Sequence, residues 1–257
     1  AGPRRSPRPS PADINRLLPN PIAEHTVPPP RDGNTDLARE GVDPKRGFFV
    51  GNGMIDTLIR LLPKTNPERA CKAVGVTPNN FALATLHRPS NVDDPATLTE
   101  IMKAMAVVAK QRPVVFPVHP RTRARIDDMG LSALGGNVKL VEPAGYLDFL
   151  ALESVAAVVM TDSGGVQEET AYLGVPCLTL RPSTERPVTI ESGMNRPVAS
   201  KLSDIVSSVT AITAKGKGEH TVPGRLVGHA CERLGRKPAH KRRRSTPNVV
   251  ESATPAG

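Results

Sequence analysis

The chain has 257 residues, of which 38% are hydrophobic and 23% charged, with no tryptophan and a formal net charge of +9. No apolar run is long enough to span a bilayer and no secretory signal is visible, so the composition speaks against a helical membrane protein and leads us to expect a cytoplasmic one. The charge looks like a nucleic-acid signal only until it is placed: residues 31–214 carry 20 basic and 20 acidic side chains, whereas residues 215–257 carry ten basic and three acidic, a local sum of +7. Without an aromatic platform for stacking bases, that excess reads as solvated charge, and no nucleic-acid partner is expected.

In chain order, residues 1–30 hold nine prolines and resist a packed helix or strand apart from a short stretch at 13–18. Strands are expected at 47–50, 81–87, 114–119, 138–142, 155–161 and 176–181, where Val/Ile/Leu-rich runs suit burial on both faces. Helices fit between them at 53–62, 95–111, 121–129, 146–154, 165–173 and 201–214. That alternation predicts an α/β fold, a doubly wound parallel sheet filling residues 31–214. Residues 215–257, with Lys241, Arg242, Arg243 and Arg244 in a Pro/Ser/Thr-containing segment, are expected to be a disordered basic tail. Gly51, Asn52 and Gly53 after the first expected strand invite a dinucleotide reading, but Asp56 stands where that motif needs its last glycine, and the motif is rejected. The cysteines, Cys71, Cys177 and Cys231, lack any CxxC pairing and read as reduced thiols, with no metal site implied.

The most informative stretch is 161–169, where Thr161, Asp162, Ser163, Gly164 and Gly165 follow the apolar run 155–160 and lead into a helix. The first N–H groups of such a helix, with its dipole, favour an anion such as a diphosphate, and the glycines permit close approach. Ser163 can donate to a phosphate oxygen, and Glu169 can accept from ribose hydroxyls. An ordinary helix capped by Asp162 or Ser163 explains the same pattern equally well. Arg186 follows the next expected strand, so its loop opens into the same crevice, and its planar fork suits a phosphate or uracil-ribose unit.

At these residues the chain resembles the non-hydrolysing UDP-N-acetylglucosamine 2-epimerase family. The likeness is carried by 85–95 (Thr-Leu-His-Arg-Pro-Ser-Asn-Val-Asp-Asp-Pro), by 161–169, and by Thr184, Glu185, Arg186 and Pro187, with weaker matches at 49–56, 117–120, Tyr146 and Phe149. The resemblance implies a Rossmann-like domain, the second of a two-domain GT-B-type fold, in which UDP is held by Phe149, Ser163, Gly164, Gly165, Glu169 and Arg186. It implies that His87 acts on the phosphate side, helping the departing UDP oxygen, and that Arg88 and His119 are remnants of a regulatory UDP-sugar site. It further implies a homodimer and no cofactor. The implied reaction removes the C2 proton as UDP departs from C1, then re-adds UDP with C2 inverted, the proton work falling to carboxylates of a first domain. Ala12 stands where the family has a glutamate, and Ala144 and Gly145 where it has a glutamine and an acidic residue. The chain is therefore expected to be a UDP-binding half, inactive alone. A GT-B glycosyltransferase and a non-catalytic nucleotide-sugar binder remain as alternatives.

Overall fold

The structure, a computed structural model, describes residues 37–38, 41–48, 50–134, 136–181, 184, 187–214 and 228–235. Among its helices, α2 (Pro67–Val74), α3 (Pro89–Val92), α4 (Pro95–Val108) and α5 (Pro120–Asp128) begin at an Xaa-Pro step. Proline at the first helical position lacks only an N–H that would be unpaired anyway, and it holds the preceding residue extended, where a helix start needs it. Asn66 and Asp94 complete two of these starts by accepting from the backbone N–H of Arg69 and Thr97, each at 2.9 Å. Ahead of them, α1 (Gly53–Leu61) is capped by Asn52, whose side chain accepts from Met54 N at 2.9 Å. The chain reaches Asn52 through Gly51 at φ +102°, a conformation that excludes other residues.

Six strands form one parallel sheet: β1 (Ala82–Thr85), β2 (Val114–Pro117), β3 (Val138–Val141), β4 (Val158–Thr161), β5 (Cys177–Leu180) and β6 (Asn195–Val198), in the order β3-β2-β1-β4-β5-β6. The connecting helices further along the chain are α6 (Tyr146–Ser154), α7 (Gly164–Leu173), α8 (Pro187–Glu191) and α9 (Leu202–Ala214). Successive side chains of a strand point to opposite faces, so each buried strand feeds two cores. Ala82, Ala84, Val114, Phe116, Val158 and Met160 pack with α4 and α9, while Phe81, Leu83, Val115 and Val159 pack with α2, α6 and α7. This is the expected doubly wound α/β fold, and the order reverses between β1 and β4, the point where such sheets bind ligands outside the carboxyl ends of their strands.

Besides forming α2, α3 and α8, for which no helix is expected, the structure departs from the sequence reading in three places. Of the strand expected at 47–50, the described residues Gly47, Phe48 and Val50 form none: Gly47 makes an isolated bridge, and Val50 is buried on the way to the Asn52 cap. The sixth strand is instead β6, hidden from pattern reading by Asn195 and Pro197, and a proline is tolerated there because β6 is an edge. Finally, α10 (Ala230–Gly235) lies inside the segment expected to be structureless. Asp56 accepts from Ala230 N (3.1 Å) and Cys231 N (2.8 Å), and Arg233 Nη1 donates to Val50 O (2.6 Å), fastening that helix beside α1. The proline-rich start at 1–30 and the basic run 241–244 lie outside the described residues. No described helix is long and apolar enough to cross a membrane.

Candidate functional site

In the parallel register Thr85 lies opposite Thr161, so His87 and Ser163 each leave the sheet two residues beyond a matched pair. The two loops therefore emerge side by side at the switch point. Between them sits Asp162, fully buried. Its carboxylate accepts from His87 N (3.2 Å to each oxygen), Arg88 N (3.1 Å) and Asn91 Nδ2 (3.0 Å), and Oδ1 lies 2.7 Å from His87 Nδ1. Burial raises the carboxyl's pKa, but the donors led by His87 outweigh it and leave Asp162 below the ordinary aspartate value and ionised. An ionised acceptor at Nδ1 requires Nδ1 to carry hydrogen. Nε2 is left on the exposed part of the ring, whose side chain is 59% accessible.

The equal alternatives for 161–169 are separated by the same contacts. Asp162 does not cap α7 because its oxygens serve the β1–α3 loop. Ser163 occupies the N-cap position with φ −83° and ψ 129°, yet its side chain makes no capping bond among the described residues. Its own N–H is taken by Thr161 Oγ1 at 2.9 Å. The α7 N-terminus thus presents the Ser163 hydroxyl and the N–H groups that begin at Gly164, with no anionic side chain capping them among the described residues. A Cβ at Gly165 would stand 2.7 Å from Met54 Cε, so the half-exposed Met54 of α1 lies directly over this first turn.

Further along α7, Glu169 is 5% exposed and its Oε1 accepts from Tyr146 Oη at 2.8 Å. Phe149, on the same helix as Tyr146, is half-buried against the Leu83–Val159 core. Arg186 falls outside the described residues. Its neighbour Thr184 is described, and Thr184 Oγ1 donates to Gln167 Oε1 at 2.5 Å. Asn195 also donates to Gln167 Oε1 (3.2 Å) and to Thr189 Oγ1 (2.9 Å), and accepts from Thr179 Oγ1 (2.6 Å). A buried polar network thereby ties the loop after β5 to α7 and β6.

His119 and Arg88 do other work. His119 N-caps α5, its Nδ1 accepting from Arg121 N at 3.3 Å, and Arg88 N is held by Asp162. They sit beyond the ends of adjacent strands, β2 and β1. Sequence reasoning missed Asp162 as anything but a cap. The available signal was an aspartate leaving a buried strand next to a histidine leaving its parallel neighbour. Among the described residues no cluster of three or more His, Cys, Asp or Glu is placed to hold a metal.

The profile of the family described as UDP-N-acetylglucosamine 2-epimerase matches residues 1–234. The chain belongs to the UDP-N-acetylglucosamine 2-epimerase family. It is 36% identical over 223 residues to a UDP-N-acetylglucosamine 2-epimerase of Methanocaldococcus jannaschii, covering 84% of this chain and 61% of that one. A solved structure of the M. jannaschii epimerase in complex with UDP-GlcNAc and UDP superposes with a TM-score of 0.79 at 34% identity, covering 92% of this chain and 66% of that one. A UDP-2,3-diacetamido-2,3-dideoxy-D-glucuronate 2-epimerase of Pseudomonas aeruginosa is also 36% identical, over 80% of this chain and 57% of that one. The chain spans about 60% of the length of these curated epimerases.

Proposed function

We propose that this chain is the UDP-binding part of a UDP-N-acetylglucosamine 2-epimerase, an isomerase interconverting UDP-GlcNAc and UDP-ManNAc in the cytoplasm. The observation that carries the proposal is the pairing, at one switch point, of an uncapped α7 N-terminus with an imidazole oriented by a buried carboxylate. The diphosphate sits at Ser163, Gly164 and Gly165, where oriented N–H groups and the helix dipole favour the charge that UDP gains as its bond to C1 breaks. His87, its tautomer fixed through Nδ1 by Asp162, presents Nε2 to the oxygen that departs with UDP. Glu169, steadied by Tyr146, receives ribose hydroxyls, Phe149 lines the uridine side, and Arg186 closes on UDP from the loop anchored through Thr184. Removal of the C2 proton falls to a base outside these groups, because both crevice carboxylates are engaged. A homodimer is part of the same proposal, and Arg88 and His119 are read in it as remnants of a regulatory site.

The test is calorimetric titration of the folded chain with UDP. The expected result is one site that is weakened by Arg186→Ala and by His87→Ala. Absence of binding defeats the proposal.

A further inference from the structure

The UDP reading leaves one buried acid without a task. Glu153, near the end of α6, is fully buried, and among the described residues no donor reaches either of its carboxylate oxygens. An ionised carboxylate so placed costs several kcal/mol. The neutral acid is far cheaper to bury, but its O–H needs an acceptor. The acceptor is on the facing helix: the Glu153 and Glu169 carboxyls meet side chain to side chain between α6 and α7. A carboxyl pair can make that hydrogen bond only when one member carries a proton.

The neighbours decide which one. Glu169 has the Tyr146 hydroxyl on Oε1 at 2.8 Å, whereas Glu153 has no donor among the described residues, so the proton belongs on Glu153 and the charge on Glu169. Burial, and then the Glu169 charge, push the Glu153 carboxyl well above the usual glutamate range. Among the described residues the other groups facing the pair are neutral or repel a second charge. Burial and Glu169 push the Tyr146 hydroxyl up, and burial drives the Cys177 thiol to about 12. Burial raises the Glu169 carboxyl as well, the hydrogen bonds from Tyr146 and Glu153 act to lower it, and Glu168 adds to the rise.

We propose that Glu153 is a positioning residue for nucleoside recognition: a buried acid that donates to Glu169 and, with Tyr146, holds that carboxylate as a singly charged acceptor for the vicinal diol of a ribose. The inference rests on the UDP reading. Glu169 lies five residues along α7 from Gly164, about 7.5 Å of helix rise, a spacing that lets a diphosphate at the N-terminus lay its ribose along the same helix. Two donors from the protein orient Glu169 without neutralising it, and its remaining lone pairs are left for the diol hydroxyls.

Two measurements on the full chain test this. In infrared spectra at neutral pH, the wild type should show a protonated-carboxyl carbonyl band that is lost in Glu153→Gln, whether or not nucleotide is present. Absence of that band overturns the proposal. In calorimetry with UDP and 2′,3′-dideoxy-UDP, Glu153→Gln, whose amide still donates to Glu169, should bind UDP as the wild type does. Glu153→Leu, confirmed folded by its thermal transition, should lose about tenfold in UDP affinity and nothing for the dideoxy compound. Equal losses for both ligands, or none for UDP, overturn the proposal. A wild type with the infrared band but no affinity for UDP defeats the nucleotide reading and the ribose role with it, leaving the Glu153–Glu169 proton pair established.

Discussion

At the scale of single residues, the site is organised by two buried carboxyl groups with opposite protonation. Asp162 is surrounded by donors and stays ionised, whereas Glu153 has none and stays neutral. The same physics sets two stability trends. Asp162 is held below its ordinary value, so its stabilisation is present above about pH 4 and is lost as pH falls through the folded-state value. Asp162→Ala should cost about 3 kcal/mol at neutral pH, since it strands the His87 and Arg88 N–H groups and the Asn91 amide. Denaturant unfolding checks the figure, and a loss under about 1 kcal/mol would mean that water replaces the carboxylate. Glu153 has the reverse sign: its folded-state value is raised, so the protonated acid stabilises most below the usual glutamate range and progressively less as pH rises above it. The melting temperature of the wild type relative to Glu153→Gln should therefore fall between weakly acidic and neutral pH. A flat difference would show that Glu153 ionises normally.

At the scale of elements, legibility followed apolar content. The strands β1, β2, β4 and β5 announced themselves as short apolar runs, and Thr161 to Gly165 as a strand-to-helix turn, because burial on both faces leaves no polar alternation to confuse the pattern, while the edge strand β3 was still legible from Val138, Leu140 and Val141 despite Lys139. β6 was illegible because Asn195 is buried by hydrogen bonds to Thr179 and Thr189 rather than by apolar contact, and no local pattern reveals partners so far along the chain. Phe48 and Val50 imitated a strand by their apolar side chains, although neither is assigned to a strand. α2 was passed over despite the Asn66-Pro67 start and the Gly75 stop at φ +66°. His87 and Ser163 were legible as site candidates through their spacing from strand ends, but the role of Asp162 depended on which strands are neighbours. The α7 N-terminus gives the prediction at this scale. Gly165→Ala places a methyl group where only the mobile end of Met54 must yield, and alanine favours a helix, so the thermal transition should move by no more than a few degrees. UDP affinity should nevertheless fall about tenfold or more, because that methyl group caps the N–H groups meant for the diphosphate. Calorimetry on Gly165→Ala beside Met54→Ala separates the causes: if Met54→Ala restores binding in the double variant, the loss came from Met54 displaced into the crevice.

At the scale of the whole molecule, recognition of UDP and the chemistry at C2 are separable. In the proposed reading the crevice favours a departing diphosphate through Ser163, Gly164, Gly165 and His87. Abstracting the C2 proton needs a positioned base, worth on the order of a hundred- to ten-thousand-fold in rate. Among the described residues the crevice carboxylates are Asp162, committed to His87, and Glu169, bonded to Tyr146, and neither is free to take a carbon-bound proton. Ala12 stands where the family resemblance places a glutamate, and a methyl group moves no proton. We therefore expect the 257 residues on their own to bind UDP and yet to incorporate no deuterium at C2 of UDP-GlcNAc in heavy water. Ala12→Glu alone should not change this, because one carboxylate without the remaining proton-handling groups cannot complete inversion. Joined to the first domain of a related epimerase and carrying Ala12→Glu, the same residues are expected to support exchange. The measurement is mass-spectrometric deuterium uptake at C2. Uptake by the unaltered chain that disappears in His87→Ala would place the base on His87 itself, and the imidazole oriented by Asp162 would then be the proton acceptor rather than a partner of the leaving group.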